Sequence, residues 1–445
     1  MVSFILPGNS ASTGYEVANS LRFDDGSSDY LERTQGTPTN DKIFTVSCWL
    51  KLSSFGDERY IVGEDGGSDN YSTRFQAGDP IYLQFDNGGV TKLLLITNRL
   101  FRDPSAWYHI VTAFDSTQGA ASNRATLYVN GVAETSFSTA TYPPQNEAPC
   151  INKSGIPFRI GQHSGGSYFD GYMAEYYFID GQAKNVTDFG EFDEDTGIWK
   201  PKKYDGTFGN NGFYLDFENS SSLGADVSGN GNNFTVNNLT STDQSTDTCT
   251  NNFATLNPLA TGSLITLSEG NLKATGNNAS DSSTTTATIG ITSGKFYWEA
   301  KIINVVSGYP YLGIYEDFDS LVQGNLQGQA NGTRVMTVYV VGGGTTLFKP
   351  GTDLTITTPA NNDIIMFAVD KDNNKFYLGI NGSWYNSGDP TSGATGTGSL
   401  ADLDANGVVM FGSHNYNNSA TELNFFSPPF SISSGNSDGN GYGNF

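Results

Sequence analysis

Phe44-Thr-Val-Ser-Cys-Trp-Leu-Lys51 sets the reading of the whole chain. The run holds neither Gly nor Pro, is rich in β-branched and aromatic side chains, and sends alternate residues to opposite sides, the two-residue period of a pleated strand. Cys48 inside it reads as a small buried hydrophobe. Working outward, similar runs recur at 107–115, 124–132, 172–179, 295–303, 363–370 and 375–380, separated by Asn-Gly, Asp-Gly and Gly-Gly turn dipeptides. Asp372-Asn373-Asn374 separates two of them and reads as a hairpin turn, because Asn tolerates positive φ. Long amphipathic helical periodicity is absent, so the expected class is all-β.

Composition narrows the function. Of 445 residues only 16% are charged, so Gly, Asn, Ser and Thr carry the polarity, a mixture suited to strands and turns. The net charge of −23 repels phosphate backbones and anionic headgroups, which argues against nucleic acid and against a membrane surface. No stretch is apolar for long enough to span a bilayer, and Met1 to Ser10 lacks a positively charged leader; the expectation is folding in the cytoplasm where the chain is made. Acidic loops invite calcium, although charge also keeps a many-copy protein soluble. Cys48, Cys150 and Cys249 are too few for a disulfide framework, and their odd number leaves at least one free thiol.

Apolar residues thin out between Asn219 and Asn257, and a Gly/Asn-rich tail follows Phe430. The expected organisation is an amino-terminal arm (1–19), a first β-sandwich (20–238), a linker (239–260), a second β-sandwich (261–432) and a mobile tail (433–445): two sandwich, jelly-roll domains in tandem.

Several segments carry a family resemblance. Residues 20–31 (SerLeuArgPheAspAspGlySerSerAspTyrLeu), 44–51, 107–115, 127–132 and 169–178 occur in the order of the laminin-G-like, concanavalin A-like jelly-roll family, which the first half resembles. The strand-plus-loop at 212–234 comes first in many such domains but last here, which implies a circular permutation with residues 212–217 closing the first sandwich. Residues 293–302, 311–314, 363–371, 376–382 and 426–430 resemble the SPRY family, a bent β-sandwich that usually binds proteins or peptides. With IleTrpLysProLysLysTyr (198–204) and ThrAsnAsnPheAlaThrLeuAsnPro (250–258) between them, the paired modules look like virion proteins of marine tailed phages.

Chemistry-bearing residues are few. Glu191-Phe-Asp-Glu-Asp195 superficially resembles a glycosidase pair of alternating carboxylates, but it sits among Gly and Thr without β-branched flanks. Of three histidines, His109 alternates within a strand and reads as structural; a nucleophile-base triad has little support. Asp370 to Asn374 opens like a calcium loop but lacks its Gly and terminal Glu, so it reads as a hairpin tip. The better calcium candidate, by resemblance to laminin-G-like loops, is Asp226-Val-Ser-Gly-Asn230-Gly-Asn232, assisted by Asp170, Asp24 or Asp25; the alternative is a hydrogen-bonded Asx turn. Aromatic and Asn/Asp loop residues suited to sugars are Asp69, Asn70, Tyr71, His163, Tyr168, Tyr309, Tyr311, Trp384, Tyr385 and Tyr416, whereas Trp49, Trp107 and Trp298 read as core.

The resemblance implies a non-enzymatic, homo-oligomeric virion surface protein that binds a host-surface glycan or protein, many weak contacts adding up. Two other readings stay open: a connector or decoration protein that binds other virion proteins, and a polysaccharide hydrolase.

Overall fold

A computed structural model describes residues 14–65, 67–307, 310–315, 335–339, 345–348, 354–356, 359–432 and 436–437. The arm before residue 14, Tyr309 and nearly all of the expected tail lie outside them. The chain is all-β, as its periodicity dictates, and its described residues divide into two compact units that part between Asn252 and Phe253.

The first unit packs two antiparallel sheets face to face. In one, the strands order as Val132–Ala133, Ala125–Val129, Trp107–Asp115, Ile43–Leu52, Gly171–Asp180, Ser20–Phe23 and Gln244–Ser245, with Phe213–Leu215 also pairing to Gly171–Asp180. The other runs Phe137–Thr141, Val90–Thr97, Ile81–Asn87, Asn70–Phe75, Arg59–Asp65, Pro157–Ile160, Tyr30–Thr34 and Thr235–Asn237. Phe44, Val46, Cys48 and Leu50 point between the sheets, where Phe44 stacks on Phe114 at 4.9 Å and meets Tyr71 edge-on at 5.7 Å. Each such ring removes on the order of 150–250 Å² from water.

Alternation alone expects the opposite face of Ile43–Leu52 to be wet, and it is not. Thr45, Ser47, Trp49 and Lys51 are as buried as their neighbours. A second apolar layer covers them, built of Trp49, Trp107, Tyr172, Tyr177, Trp199, Tyr204 and Tyr214. Polar groups trapped beneath that layer must be paired, since an unpaired one costs about 1–3 kcal/mol. His109 shows how: its Nδ1 accepts from the Trp199 indole N–H at 3.0 Å, so the ring proton sits on Nε2 and donates to Ser47 Oγ at 2.9 Å. The ring stacks on Trp49, and burial pulls its pKa down to about 3, as befits a structural histidine.

The same demand corrects the expected linker. Residues 239–252 are part of the first sandwich: Lys51 Nζ, buried in the sheet face, meets Asp247 Oδ2 at 2.8 Å and Asn252 Oδ1 at 2.9 Å. Trp107 Nε1 donates to Asp247 Oδ1, Arg22 pairs with Asp243 at 2.9 Å, and Gln244–Ser245 extends the sheet beside Ser20–Phe23. The polar composition there reflects the partners a dry charged face needs.

Glu175 interrupts Gly171–Asp180 with a bulge at φ 51°, a left-handed conformation costly for a residue with a Cβ. Three tyrosine hydroxyls offset it, Tyr177 and Tyr15 donating to Oε2 at 2.7 and 2.9 Å and Tyr214 to Oε1 at 2.8 Å. Glu64 is treated otherwise: fully buried opposite Tyr71, neither of its carboxyl oxygens has a hydrogen-bond partner among the described residues. Burial drives its pKa well above the carboxylate range.

The second unit repeats the two-sheet plan around Trp298, Phe367, Leu378 and Phe411. The hairpin turn expected at 372–374 is present, with Asp370 paired to Lys375 and Asn374 at φ 56°. All three cysteines are free thiols.

Two outcomes test this account by urea denaturation. Asp247→Ala, which leaves Lys51 buried without its counter-charge, costs about 3–5 kcal/mol and opens 239–252 to protease; Lys51→Met in the same chain restores most of the loss. If D247A unfolds at wild-type urea, the segment is not held as described. The raised folded pKa keeps Glu64 protonated in the fold at pH values where the unfolded chain, which ionises at about pH 4.3, has lost the proton, so its contribution is full in acid and falls by up to about 1.4 kcal/mol per pH unit until the folded pKa is passed. Glu64→Gln is therefore expected to gain on wild type as pH rises above the unfolded value, until the raised folded pKa is passed; a gap that does not change with pH contradicts a raised Glu64 pKa.

Candidate functional site

Strand register builds the site. Ser20–Phe23 pairs with Gly171–Asp180 so that Phe23 faces Gly171, which carries the chain on to Asp24 beside Asp170. Gly171, at φ 143°, passes so close to the Lys51 carbonyl that a Cβ would lie 2.2 Å from it, so glycine is required at this crossing. Asp24 shapes the following turn, accepting the Gly26 N–H at 2.8 Å while its own N–H donates to Asp29 Oδ2 at 2.9 Å.

The result is a cluster in which one ligand atom from each of Asp24, Asp25 and Asp170 lies within 4.8 Å of the others. Asp25 is exposed; Asp24 and Asp170 are buried. Burial and then the charges of Asp25 and Asp24 push the Asp170 carboxyl up to about 8, and burial with Asp24 raises Asp25 as well. Burial lifts Asp29 to about 6. Carboxylates held together against their own repulsion suit a hard divalent cation, which asks for six to eight oxygens from side chains, turn carbonyls and water.

Aromatic groups flank the cluster along the chain. Tyr30 and Tyr168, both half-buried, lie 6.3 Å apart, and Tyr168 precedes Asp170 by two residues. Tyr168 belongs to the short hairpin Gln162–His163 with Ser167–Tyr168, whose His163 stacks on Tyr60 at 4.9 Å. Of the residues singled out from sequence, Asp24, Asp25, Asp170, His163 and Tyr168 thus come to one end of the first sandwich. Tyr30 was missed, because it reads as an ordinary strand residue of Tyr30–Thr34 and nothing local in the sequence links it to Tyr168, 138 positions away.

The remaining candidates fall elsewhere. Asp226 does not join the acidic cluster: Oδ1 accepts the N–H groups of Tyr214 (3.0 Å) and Ser228 (2.9 Å), and Oδ2 that of Asn232 (2.8 Å). It is an Asx-type turn, and the amides of Asn230 and Asn232 both donate to the Gly212 carbonyl. Tyr71 is fully buried in the core, which removes it as a ligand residue. Asp69 caps the Gly88 N–H at 2.8 Å and faces Lys153, and Asn70 begins a paired strand. Trp384 and Tyr385 belong to the second unit, Trp384 packing against Tyr297 and Tyr377. Tyr311 is buried against His414.

The acidic run at 191–195 forms one side of a hairpin, Gly190–Phe192 with Trp199–Pro201. Lys200 lies 3.4 Å from Glu191 and 3.3 Å from Asp193, whose bonds from Thr196 hold it down at about 2. Both carboxylates are engaged with one lysine rather than set across a cleft.

Residues 25–184 match the family model described as the concanavalin A-like lectin/glucanases superfamily. No curated protein matches the chain. Among solved structures, the SPRY domain of human HERC1 is similar at 16% identity, covering 38% of this chain and 96% of that one, with TM-score 0.28. The TRIM65 PSpry domain is similar at 10% identity over 38% and 90%, TM-score 0.28. A heptameric SAP-like pentraxin from Limulus polyphemus is similar at 16% over 39% and 80%, TM-score 0.28. The chain is an all-β protein of packed sandwich sheets whose residues 25–184 are similar to the concanavalin A-like lectin/glucanases superfamily.

Proposed function

We propose that this chain is a non-catalytic recognition protein of a marine tailed-phage virion, contributing to attachment by binding a host-surface glycan or protein through a calcium-bearing end of its first sandwich. The observation that carries the binding site is the convergence of Asp24, Asp25 and Asp170 beside Tyr30 and Tyr168. Calcium there relieves the carboxylates' mutual repulsion and leaves coordination positions for hydroxyls or carbonyls of a partner. Tyrosines supply the flat faces on which sugar rings or apolar side chains rest. The virion assignment draws on the paired modules and the motifs at 198–204 and 250–258. No helix among the described residues is long and apolar enough to cross a membrane.

A specific observation favours a second reading, a connector that binds other virion proteins or copies of itself. Phe192 and Ile198 are 50% and 63% exposed on the hairpin around Trp199, and Val132 beside Gly131, which abuts the same indole, is 54% exposed.

Millimolar calcium is expected to raise the melting temperature by several degrees, as mass-action stabilisation by a bound ion requires, and Asp25→Asn to abolish the rise without lowering the calcium-free melting point. Wild-type protein should then bind host cells or a glycan array in calcium and not in EDTA. Absence of any calcium shift removes the cation from the site; a shift with no adsorption, together with Phe192→Ser and Ile198→Ser breaking an oligomer in sedimentation, moves the assignment to the connector. Release of reducing sugar from host polysaccharide would return the hydrolase.

A further inference from the structure

The far end of Gly171–Asp180 holds a second feature. Ten residues of strand separate Asp170 from Asp180, roughly 30 Å at about 3.3 Å per residue. There an open cavity of about 630 Å³ is lined by the segment Thr207, Phe208, Gly209 and Asn210 and by Ser228 and Asn230 of the Asx-turn loop. That volume lies within the roughly 300–1,000 Å³ range of small-molecule sites.

Two acidic residues hold its walls, their oxygens filled by N–H donors. Asp180, 1% exposed, accepts the N–H groups of Thr39 (2.6 Å), Asn40 (3.3 Å) and Asn211 (3.0 Å) and the Asn152 amide (2.6 Å), while its own N–H donates to the Phe208 carbonyl. Asp226 is filled by three backbone N–H groups, as described above. Gly209, at φ 75°, lets the chain pass the Asp180 carbonyl, which a Cβ would approach to 2.2 Å. Asn230 Nδ2 ties the two walls together through the carbonyls of Gly209 (2.7 Å) and Gly212 (2.9 Å). The cavity is therefore set before any ligand arrives, which lowers the ordering cost of binding.

Its chemistry selects a class. The wall is mostly polar, which disfavours a lipid or an apolar cofactor, and none of the lining residues is ionisable, which disfavours a metal ion or a phosphate. The groups are neutral and of both senses: the exposed Asn210 side-chain amide, the Asn230 Oδ1, and the hydroxyls of Ser228 and Thr207, which accept from the Asn230 N–H and the Gln182 amide and keep their own O–H to donate. Phe208, half-buried and edge-on to Tyr204 at 5.3 Å, is the one aromatic lining residue. Paired donors and acceptors with one aromatic group match a neutral ligand whose hydroxyls both give and take hydrogen bonds.

We propose that the cavity between 207–210 and 228–230 is a calcium-independent subsite for a neutral saccharide, at the opposite end of the first sandwich from the acidic cluster. This rests on the reading of the chain as a recognition protein, and it adds a second point of contact, so that one domain can bridge two parts of a long polymer or two chains of it. Weak binding at each end is then multiplied by tethering.

The test uses the full chain in EDTA, titrated with neutral hexasaccharides of the α-glucan, β-glucan, mannan and xylan series and followed by NMR or calorimetry. At least one is expected to bind with a dissociation constant on the order of 0.1–1 mM. Asn210→Ala, which removes an exposed amide, and Ser228→Tyr, which fills the space, should each weaken it by roughly fivefold or more with melting temperature unchanged. Asp25→Asn and Asp170→Asn should leave it intact while abolishing any calcium-dependent adsorption, so the two sites fail separately. The proposal is overturned if no hexasaccharide binds at about 10 mM, if the binding found is indifferent to both N210A and S228Y, or if it disappears in D25N.

Discussion

A sheet buried on both faces has no place for an unpaired charge, and the first sandwich is organised around that constraint. Lys51 sits in the strand whose alternate residues fill the core, so its own side chain points into the second apolar layer. The cost of a dry ammonium is met only by a carboxylate at contact distance, and Asp247 supplies it at 2.8 Å. Satisfying that one charge draws a polar segment nearly 200 residues away in sequence onto the sheet, with Trp107 and Asn252 completing the set. His109 and Glu175 obey the same rule with Trp199 and with three tyrosines, and these partners are also the covering layer.

This explains what the sequence disclosed and what it hid. Period-two runs such as 44–51, 107–115 and 363–370 carry their own evidence, because side-chain alternation is local, and each is a strand. The hairpin at 372–374 was equally local. Residues 239–252 looked like a linker because composition measures polarity and not partnership: a Thr, Asp and Asn stretch is what solvent tolerates and also what a buried charge demands. Tyr71 erred in the other direction; beside Asp69 and Asn70 it read as a loop residue, yet it is the second residue of the strand Asn70–Phe75 and packs edge-on against Phe44 in the core.

The acidic cluster was half legible. Asp170, Asp24 and Asp25 were all named, but as helpers of Asp226, since a Gly/Asn-rich Asp loop is a more familiar pattern than two acidic residues more than a hundred positions apart. Antiparallel register decides otherwise: once Phe23 faces Gly171, the residues on either side of the crossing become neighbours. Asp226 lies outside that cluster, and three backbone N–H groups reach its oxygens, which no spacing rule contains.

That arrangement is a gain in order. A carboxylate saturated by main-chain donors fixes a loop without projecting charge, and Asp226 and Asp180 do this from two sides of the same opening. Acidic residues of the first sandwich therefore divide by how their oxygens are occupied. Where strand ends force three together without enough donors, as at Asp170, repulsion remains and a cation is the natural complement. Where donors suffice, N–H groups occupy the carboxylate oxygens, and the residues that line the opening itself are uncharged and polar. One strand, Gly171–Asp180, carries the first condition at its beginning and the second at its end, so a single sandwich offers two chemically distinct faces to whatever it meets.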